Sequence, residues 1–327
     1  MTTAYHVRWS APAHSKIGQT QLAQHSRRGF PLDELTTIVH GVKSWQAFHG
    51  GEIELVTDRL GGELMERIGL IELYDRVHTW LDEIDTTVID PSIYFSAGKF
   101  ELFRRAQEPF VVMDTDFYLR SDIVPPNEQE FVFTHWERTT SPDIYPDPHE
   151  LPMAAGYILP DLNYEGPASN MSLAWFGDPA HARALGESAF AFAENNGADA
   201  PGHRIQRAAF AEQRLVVALA RDLGIEARPF SPRIWDTATG LWEGPTEADR
   251  YHHTWFQKSW FITFPELRAS YCHYLIRDLC QRQPEGAEWL AEHLPSSPVR
   301  DSLHALLDGM PIPHEIITDW RLLEGAV

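Results

Sequence analysis

The sequence predicts an α/β fold in which a mainly parallel sheet is flanked by helices. Over about the first 115 residues, short apolar or alternating runs typical of strands follow stretches with apolar residues at three- and four-residue spacing, as in helices. This alternation favours parallel strands covered by helices. Ligands of such sheets bind at the carboxyl ends of the strands, so polar residues at these ends are candidate site residues.

The elements of the first half follow from these patterns. The predicted strands are 7–10, 52–57, 77–81 and 110–113, and the predicted helices are 32–48, 61–69 and 90–106. Asp90 and Pro91 are typical of a helix cap and a first helical position, so they place the start of the third helix. The run from Phe110 to Met113 is apolar throughout, as expected of a strand buried on both faces.

The second half is predicted to contain further strands and then to become helical. Strands are predicted at 131–137 and 171–176, and helices at 178–195, 205–223 and 270–282. Residues 139–152 contain four prolines and are predicted to form a loop. Residues 287–327 are predicted to be helical. We therefore divide the chain into a main domain, 1–262, and a helical C-terminal extension, 263–327, packed on it.

The charge of the chain excludes some classes of ligand. Its 327 residues include 27 Lys and Arg against 47 Asp and Glu, which gives a formal net charge of −20. Nucleic-acid binding is not expected, because phosphate contacts need Lys and Arg, and neither is binding to an anionic membrane surface. An anionic substrate could bind only through a local pocket of donors.

No targeting or membrane-spanning segment is expected. The N-terminal residues show no basic stretch followed by an apolar core, and there is no run of about 18 apolar residues. Cys272 and Cys280 are eight positions apart, which is too far for a disulfide if both lie on one helix. Two unpaired cysteines favour a reducing compartment, so the expected location is the cytoplasm.

The motif Asp114-Thr115-Asp116 directly follows the apolar run 110–113. Two carboxylates that flank one residue at a strand end can both turn toward one cation, and their hard oxygen ligands suit Mg²⁺ or Mn²⁺. Such a cation would bridge a diphosphate and neutralise charge that grows on a leaving group. In a chain this acidic, the motif can also occur by chance. The alternative interpretation is that it forms a solvated turn or a helix cap.

Two lysines and a histidine are candidates for the same site. Lys99 lies on the helix that precedes the motif and could reach an anion, or could simply cover its own helix. In the aromatic segment 251–260, His252 is a candidate metal ligand and Lys258 a candidate phosphate contact. The same segment could equally be an aromatic-rich element with surface histidines.

Polar residues at other element ends could hold sugar hydroxyls. Asn170 precedes the strand predicted at 171–176, and Glu212-Gln213 lies within the helix predicted at 205–223. The alternative is that Asn170 is a turn residue and Glu212 belongs to a solvated helical face. Asp58 stands at the end of the strand predicted at 52–57.

Taken in chain order, these residues resemble the GT-A glycosyltransferases, and specifically the retaining family that contains glycogenin and the bacterial lipopolysaccharide galactosyltransferases. The resemblance is one of motifs and covers about residues 50–262. It implies a GT-A fold for the main domain, with the acceptor side at about 125–170. It also implies a nucleoside-diphosphate sugar donor, with UDP as the expected nucleotide, and Mn²⁺ or Mg²⁺ as cofactor.

By position, the resemblance implies roles for the metal and phosphate ligands. Asp114 and Asp116 would bind the metal, with Thr115 beside the donor. His252 would be the third ligand, because His252 and Lys258 match the family's His-x5-Lys-x-Trp pattern. Lys258 would hold the diphosphate.

The remaining carried-over roles concern the donor sugar and the nucleoside. Lys99 would contact donor sugar or phosphate, and Asp58 would lie near the nucleoside. Asn170 matches the family's Asn, and Glu212-Gln213 matches its Asp-Gln pair, with Gln213 beneath the anomeric carbon. Glu212 departs from the family's usual Asp.

Two mechanisms are open at this stage. If configuration is retained, the leaving phosphate could take the acceptor proton, and Gln213 would stabilise the oxocarbenium-like centre. If it is inverted, a protein base is required. The candidates are His135, Glu137, Asp143 and His149.

Other readings of the same residues are a metal-dependent nucleotidyltransferase or phosphotransferase and an inactive GT-A binding module. The acceptor could be an aromatic small molecule, a peptide or a second sugar, and the oligomeric state is not predicted. Residues 11–30 form an extra segment that we expect to be a loop over the nucleoside.

Overall fold

The computed structural model describes residues 2–14, 30–151, 153, 155–196, 204–245, 250–255, 258, 261, 264–294 and 298–308. The loop expected over the nucleoside falls mostly on 15–29, and the end of the helical extension on 309–327, both outside the described residues. The strands are β1 (Thr3–Arg8), β2 (Ile53–Thr57), β3 (Arg76–His78), β4 (Phe110–Met113), β5 (Phe117–Leu119), β6 (Glu130–Arg138), β7 (Ala168–Phe176), β8 (Glu226–Pro229), β9 (Ile234–Asp236), β10 (Leu241–Glu243) and β11 (Tyr251–His253). Residues Ala11–His14 form a short helix, so the start of the segment expected to be a loop is helical. The longer helices are α1 (Leu32–His49), α2 (Arg59–Glu66), α3 (Ala97–Arg105), α4 (Pro179–Asn195), α5 (Arg204–Ala209), α6 (Leu215–Asp222), α7 (Pro265–Arg282), α8 (Pro284–His293) and α9 (Pro298–Leu307). A π-helical turn, Phe210–Arg214, joins α5 to α6.

The main sheet is mixed and mainly parallel, with the strand order β10-β9-β6-β7-β4-β1-β2-β3 and with β8 also paired to β6. β1 is parallel to β2 on one side and to β4 on the other. β7 runs antiparallel between β4 and β6. The predicted fold class is therefore confirmed. The carboxyl ends of β1, β2 and β4 meet at one edge of this sheet.

A second, two-stranded sheet joins distant parts of the chain at that edge. β5 and β11 pair antiparallel, so that His253 lies opposite Phe117 and His252 opposite Tyr118. β5 begins directly after Asp116. The pairing therefore places the histidine-containing strand β11 beside the acidic motif.

Two apolar cores lie on opposite faces of the main sheet. Leu55 and Val111 pack in the same core as residues of α1 and the C-terminal helices, whereas Val56 and Val112 pack in the core that includes α3, α4 and α6. Consecutive strand residues alternate between faces, which explains why the strand sequences are apolar throughout. Leu279 on α7 belongs to the first core, so the C-terminal helices share a core with α1.

The helix predicted over 90–106 is shorter than expected and begins at Ala97. Asp90 closes a separate turn instead of capping the helix. Its carboxylate accepts a hydrogen bond from the N–H of Ser92 (2.8 Å), and its carbonyl accepts one from the N–H of Tyr94 (2.9 Å). The side chain thus satisfies a local turn, which competes with helix formation.

Across the part of the chain that the structure describes, no helix is both long and apolar enough to cross a lipid bilayer. Cys272 and Cys280, both on α7, are free thiols.

Gly186 on α4 lies where α3 packs closely against it. A Cβ atom there would lie 2.7 Å from Phe103 Cβ and 2.9 Å from the Phe100 carbonyl oxygen. We expect Gly186→Ala to lower the free energy of unfolding by about 1–3 kcal/mol, as in other overpacked cores, measured by urea denaturation. Gly62→Ala is the control, because a Cβ there meets only Thr57 Cγ2 at 3.5 Å, and a helical Gly→Ala change is ordinarily neutral or stabilising. Equal losses in both variants would contradict the close helix contact.

Candidate functional site

Asp114 and Asp116 share one turn at the carboxyl end of β4, with Thr115 between them. The N–H of Asp114 donates to the carbonyl of Ser172 on β7 (2.7 Å), so the sheet holds the first residue after β4. The chain then turns, and the N–H of Phe117 donates back to the carbonyl of Asp114 (3.0 Å). Asp116 is buried, while the Asp114 side chain is 27% exposed. The turn thus leaves one carboxylate enclosed and the other open.

His253 completes a group of three possible metal ligands with these carboxylates. Its Nε2 lies 3.6 Å from Asp116 Oδ1 and 4.0 Å from Asp114 Oδ2. One ligand atom from each of the three residues lies within 4.8 Å of the others. Ligands of one divalent ion at about 2.0–2.6 Å must lie within roughly 5 Å of each other. The oxygen and imidazole donors therefore fit one Mn²⁺ or Mg²⁺ ion.

In the structure His253, rather than His252, lies beside the two carboxylates. His252 lies opposite Tyr118 in the small sheet, its Nε2 is hydrogen-bonded to the Tyr271 hydroxyl on α7, and its ring stacks on that of Tyr118. Burial lowers the pKa of His252 to about 3. Side chains alternate along a strand, so His253 reaches the carboxylates and its neighbour faces the other way. The spacing to Lys258 favoured His252, and the face that each histidine occupies is set by the pairing of β11 with β5.

The ammonium of Lys99 is saturated by protein groups. Its Nζ lies 2.6 Å from Asp114 Oδ1 and 2.6 Å from Glu212 Oε1, and it donates to the Met171 carbonyl (2.9 Å). Burial disfavours the charge, but the two carboxylates outweigh it and raise the pKa of Lys99. An ammonium has three N–H groups to donate, and all three are directed to protein acceptors that include Asp114. A contact of Lys99 with the donor sugar or its phosphate stays a prediction.

Lys258 is more open to solvent than Lys99. Its Nζ lies 2.6 Å from Asp116 Oδ2, and its side chain is 45% exposed. Burial opposes ionisation of Asp116, but Lys258 and His253 prevail and hold the pKa of this carboxyl well below its usual value. The enclosed carboxylate is therefore ionised near neutral pH, in the form that binds metal.

Glu212 and Gln213 lie in the π-helical turn Phe210–Arg214. The helix predicted at 205–223 is thus interrupted by a wider turn, and such turns are frequent at functional sites. Within it, Glu212 reaches Lys99, and the Gln213 amide contacts the hydroxyl of Tyr145. The hydroxyl of Ser169 on β7 also donates to the main-chain carbonyl of Gln213 (3.2 Å).

Asn170 lies within β7, and both ends of its side-chain amide form hydrogen bonds with other side chains. Its Nδ2 donates to Glu137 Oε1 (2.7 Å), and its Oδ1 accepts from the Ser172 hydroxyl (2.6 Å). The hydroxyl of Tyr145 donates to Glu137 Oε2 (2.6 Å). Glu137 is only 2% exposed. The predicted Asn170 thus belongs to a buried network that also contains Glu137 and Tyr145.

Asp58 directly follows β2, and its carboxylate accepts hydrogen bonds from nearby backbone N–H groups. Its carboxylate accepts from the N–H of Ser10 (3.1 Å) and of Gly61 (3.1 Å), and from the Ser10 hydroxyl. It therefore caps α2 and ties the residues after β1 to that helix. Its contact with a nucleoside stays a prediction.

The four candidate bases fall into two groups. Asp143 and His149 are exposed in the loop between β6 and β7. His135 and Glu137 are buried on β6. Burial lowers the pKa of His135 well below its usual value, and its Nδ1 is hydrogen-bonded to the hydroxyl of Tyr251 (2.9 Å).

A cavity of about 120 Å³ opens beside Asp116 and Lys258. It lies between the start of α1 and the start of α7. Its lining residues combine carboxylates with cations and apolar groups: Pro31, Asp33, Glu34, Thr37, Asp116, Thr254, Lys258, Phe261 and Arg268. The cavity therefore adjoins the candidate site at Asp116 and Lys258.

No protein-family model matches the sequence, and no curated protein matches it. Solved structures match at low similarity. Mouse xyloside xylosyltransferase 1, apo form, shares 10% identity over 70% of this chain and 84% of its own, with a TM-score of 0.37. The apo WbbM bifunctional glycosyltransferase shares 8% identity over 70% of this chain and 38% of its own, with a TM-score of 0.36. The inositol-1-phosphate CTP transferase from T. maritima shares 12% identity over 76% of this chain and 92% of its own, with a TM-score of 0.35. These similarities are too distant to assign a family or an activity.

Two adjacent histidines allow a matched test of the ligand set. His253→Ala is expected to weaken Mn²⁺ binding at least about 10-fold, since loss of a group that merely orients a ligand already costs about 10- to 100-fold. His252→Ala should leave Mn²⁺ affinity nearly unchanged, because its ring faces Tyr271. Titration calorimetry with Mn²⁺ measures both. Loss of binding in His252→Ala alone would contradict the assignment.

Proposed function

We propose that this protein is a metal-dependent glycosyltransferase that transfers a sugar from a nucleoside-diphosphate sugar, with UDP as the nucleotide, to a small-molecule, glycan or peptide acceptor. One observation carries the proposal. Asp114, Asp116 and His253 converge at the carboxyl end of β4, and Lys258 lies beside them. Parallel sheets bind ligands at this edge, and the combination suits a divalent cation together with a diphosphate.

Each side chain of the site has a distinct part in this proposal. A divalent cation, held by Asp114, Asp116 and His253, would neutralise charge on the departing diphosphate. Lys258 would add a second positive charge beside the departing diphosphate. Electrostatic stabilisation of charge that develops in the transition state is usually the largest contribution to catalysis. Lys99 fixes the orientation of Asp114 and so of the ligand set.

Transfer with retention of configuration is favoured by the surroundings of the candidate bases. Inversion needs a base within hydrogen-bond reach of the acceptor. His135 and Glu137 are buried and bonded to other protein groups. Gln213 is half-buried in the π-helical turn, directly after Glu212, and we assign its uncharged amide to support a developing oxocarbenium ion.

The first test uses slow hydrolysis of nucleotide sugars in the presence of Mn²⁺. The wild-type protein is expected to release nucleoside diphosphate from at least one member of a panel of UDP- and other nucleotide sugars. Asp116→Asn should reduce this rate at least about 100-fold, because it removes an ionised ligand. Asp222→Asn is the control, since Asp222 is exposed at the end of α6 and is not among the candidate bases or ligands.

Other results of the same assay would contradict the proposal. Release of pyrophosphate from a nucleoside triphosphate, with no nucleotide-sugar hydrolysis, would indicate a nucleotidyltransferase. If no nucleotide sugar is hydrolysed and no nucleoside diphosphate binds by calorimetry, the glycosyltransferase proposal is wrong.

The stereochemical course is a separate test. We expect the product of transfer to keep the anomeric configuration of the donor sugar, as read from the proton coupling constants by NMR. An inverted product would remove the role given to Gln213 and would point to the exposed Asp143 or His149 as base.

A further inference from the structure

Tyr271 on α7 bonds to both chain neighbours of the candidate metal ligand His253. Its hydroxyl is hydrogen-bonded to His252 Nε2 and lies 2.8 Å from Thr254 Oγ1. A hydroxyl can donate one hydrogen bond and accept another at the same time, so a single oxygen can satisfy both contacts. Side chains alternate along an extended segment, so both neighbours point away from the side that His253 occupies. The side of β11 turned away from the metal ligands is therefore attached to α7.

The orientation of the His253 imidazole depends on the main chain that carries it. A metal-bound histidine usually donates its second ring N–H to a carboxylate, a carbonyl or a water, and this bond fixes the ring. Within the described residues, the buried Nδ1 of His253 has no hydrogen-bond partner. The ring centroids of Phe117 and Trp255 lie 6.1 and 6.2 Å from that of His253, so these rings offer packing without a directed bond. The backbone around His253 must therefore supply the restraint.

The strand β11 by itself supports that backbone only weakly. It has three residues and pairs with the three-residue strand β5 in a two-stranded sheet. Isolated two-stranded sheets are marginally stable. Thr254 adds two attachments, because its N–H donates to the Asp116 carbonyl (3.1 Å) and its hydroxyl contacts Tyr271. Through Thr254, Tyr271 is thus connected to a second candidate metal ligand.

The helix α7 is firmly attached to the rest of the protein on both sides of Tyr271. Cys272 and Ile276 are fully buried in the core that α7 shares with α1. Before Tyr271, the Arg268 guanidinium forms a buried ion pair with Asp33 of α1 at 2.8 Å. The hydroxyl of Tyr271 therefore has a fixed position from which to hold β11.

We propose that Tyr271 is a positioning residue of the candidate metal centre, whose hydroxyl holds both neighbours of His253 and so keeps the imidazole turned toward the two carboxylates. The inference rests on the metal site of the proposed function. It gives the chain after residue 262 a part in that site, because α7 would orient a ligand that β11 supplies. Tyr271 acts through His253 and not on the ion itself.

Tyr271→Phe tests this inference because it removes the hydroxyl and keeps the ring. We expect the Kd for Mn²⁺, measured by titration calorimetry, to rise about 10- to 100-fold, as for other groups that orient a metal ligand. Tyr274→Phe is the matched control, since Tyr274 lies three positions further along α7 and its hydroxyl contacts Arg120. Its Kd should change less than about 2-fold, as expected of an independent site.

Loss of His252 alone is not equivalent to loss of the Tyr271 hydroxyl. His252→Ala leaves the contact between Tyr271 and Thr254 in place, so its effect should be much smaller. If urea denaturation shows that Tyr271→Phe does not fold, the double variant His252→Ala/Thr254→Val removes both contacts from the other side. It is then expected to raise the Kd for Mn²⁺ to the same extent.

Pulsed EPR of bound Mn²⁺ separates positioning from a general loss of structure, because it detects the nitrogen of a ligating imidazole. This nitrogen signal is expected in the wild type and in Tyr274→Phe, absent in His253→Ala and reduced in Tyr271→Phe. In a His253→Ala background there is no imidazole to orient, so adding Tyr271→Phe should change the Kd less than about 2-fold. An unchanged Kd or an unchanged nitrogen signal in Tyr271→Phe, or losses that multiply in the double variant, would overturn the inference.

The proposed function and this inference fail in different ways, since both readouts use Mn²⁺ alone without a nucleotide sugar. If Tyr271→Phe behaves as expected but the wild type hydrolyses no nucleotide sugar, the positioning role stands and the glycosyltransferase proposal is wrong. If the wild type is active with Mn²⁺ and Tyr271→Phe binds the ion normally, only the positioning role is overturned.

Discussion

The ion pairs of Lys99 connect the parts of the molecule on which the site depends. A single ammonium on α3 bonds to Asp114 after β4, to the Met171 carbonyl on β7 and to Glu212 in the π-helical turn. Removing one partner from a buried pair of this kind generally costs about 3–5 kcal/mol, because the other charge is left without compensation. The orientation of Asp114, the packing of α3 and the position of Glu212 are therefore set together.

The two lysines of the candidate site have different surroundings. Lys99 is enclosed and directs its donors to protein acceptors, whereas Lys258 is half-exposed and bonded to Asp116. The overall charge of −20 would repel a diphosphate. Attraction must therefore be local, and it arises where Lys258 and a bound cation would lie next to each other.

How much the sequence can predict depends on the range of the interaction. The apolar run before Asp114 is sufficient to predict a strand buried on both faces and a carboxylate at its end, and both are found. The choice between His252 and His253 depends on which face of a three-residue strand each occupies, and so short a strand has no clear alternation. The ion pairs of Lys99 cannot be predicted from local patterns, because its partners lie far away in sequence. The π-helical turn cannot be predicted either, because it leaves the apolar spacing of its helix almost unchanged.

The pairing of β5 with β11 has a consequence for biosynthesis. Asp114 and Asp116 leave the ribosome well before His253 and Lys258, since the chain is made from its N-terminus. Until β11 is added, the two neighbouring carboxylates repel each other without the histidine and the lysine that later compensate them. A nascent chain that ends before β11 therefore lacks one of the three candidate metal ligands, and this edge of the sheet is completed only when the last quarter of the polypeptide has been synthesised.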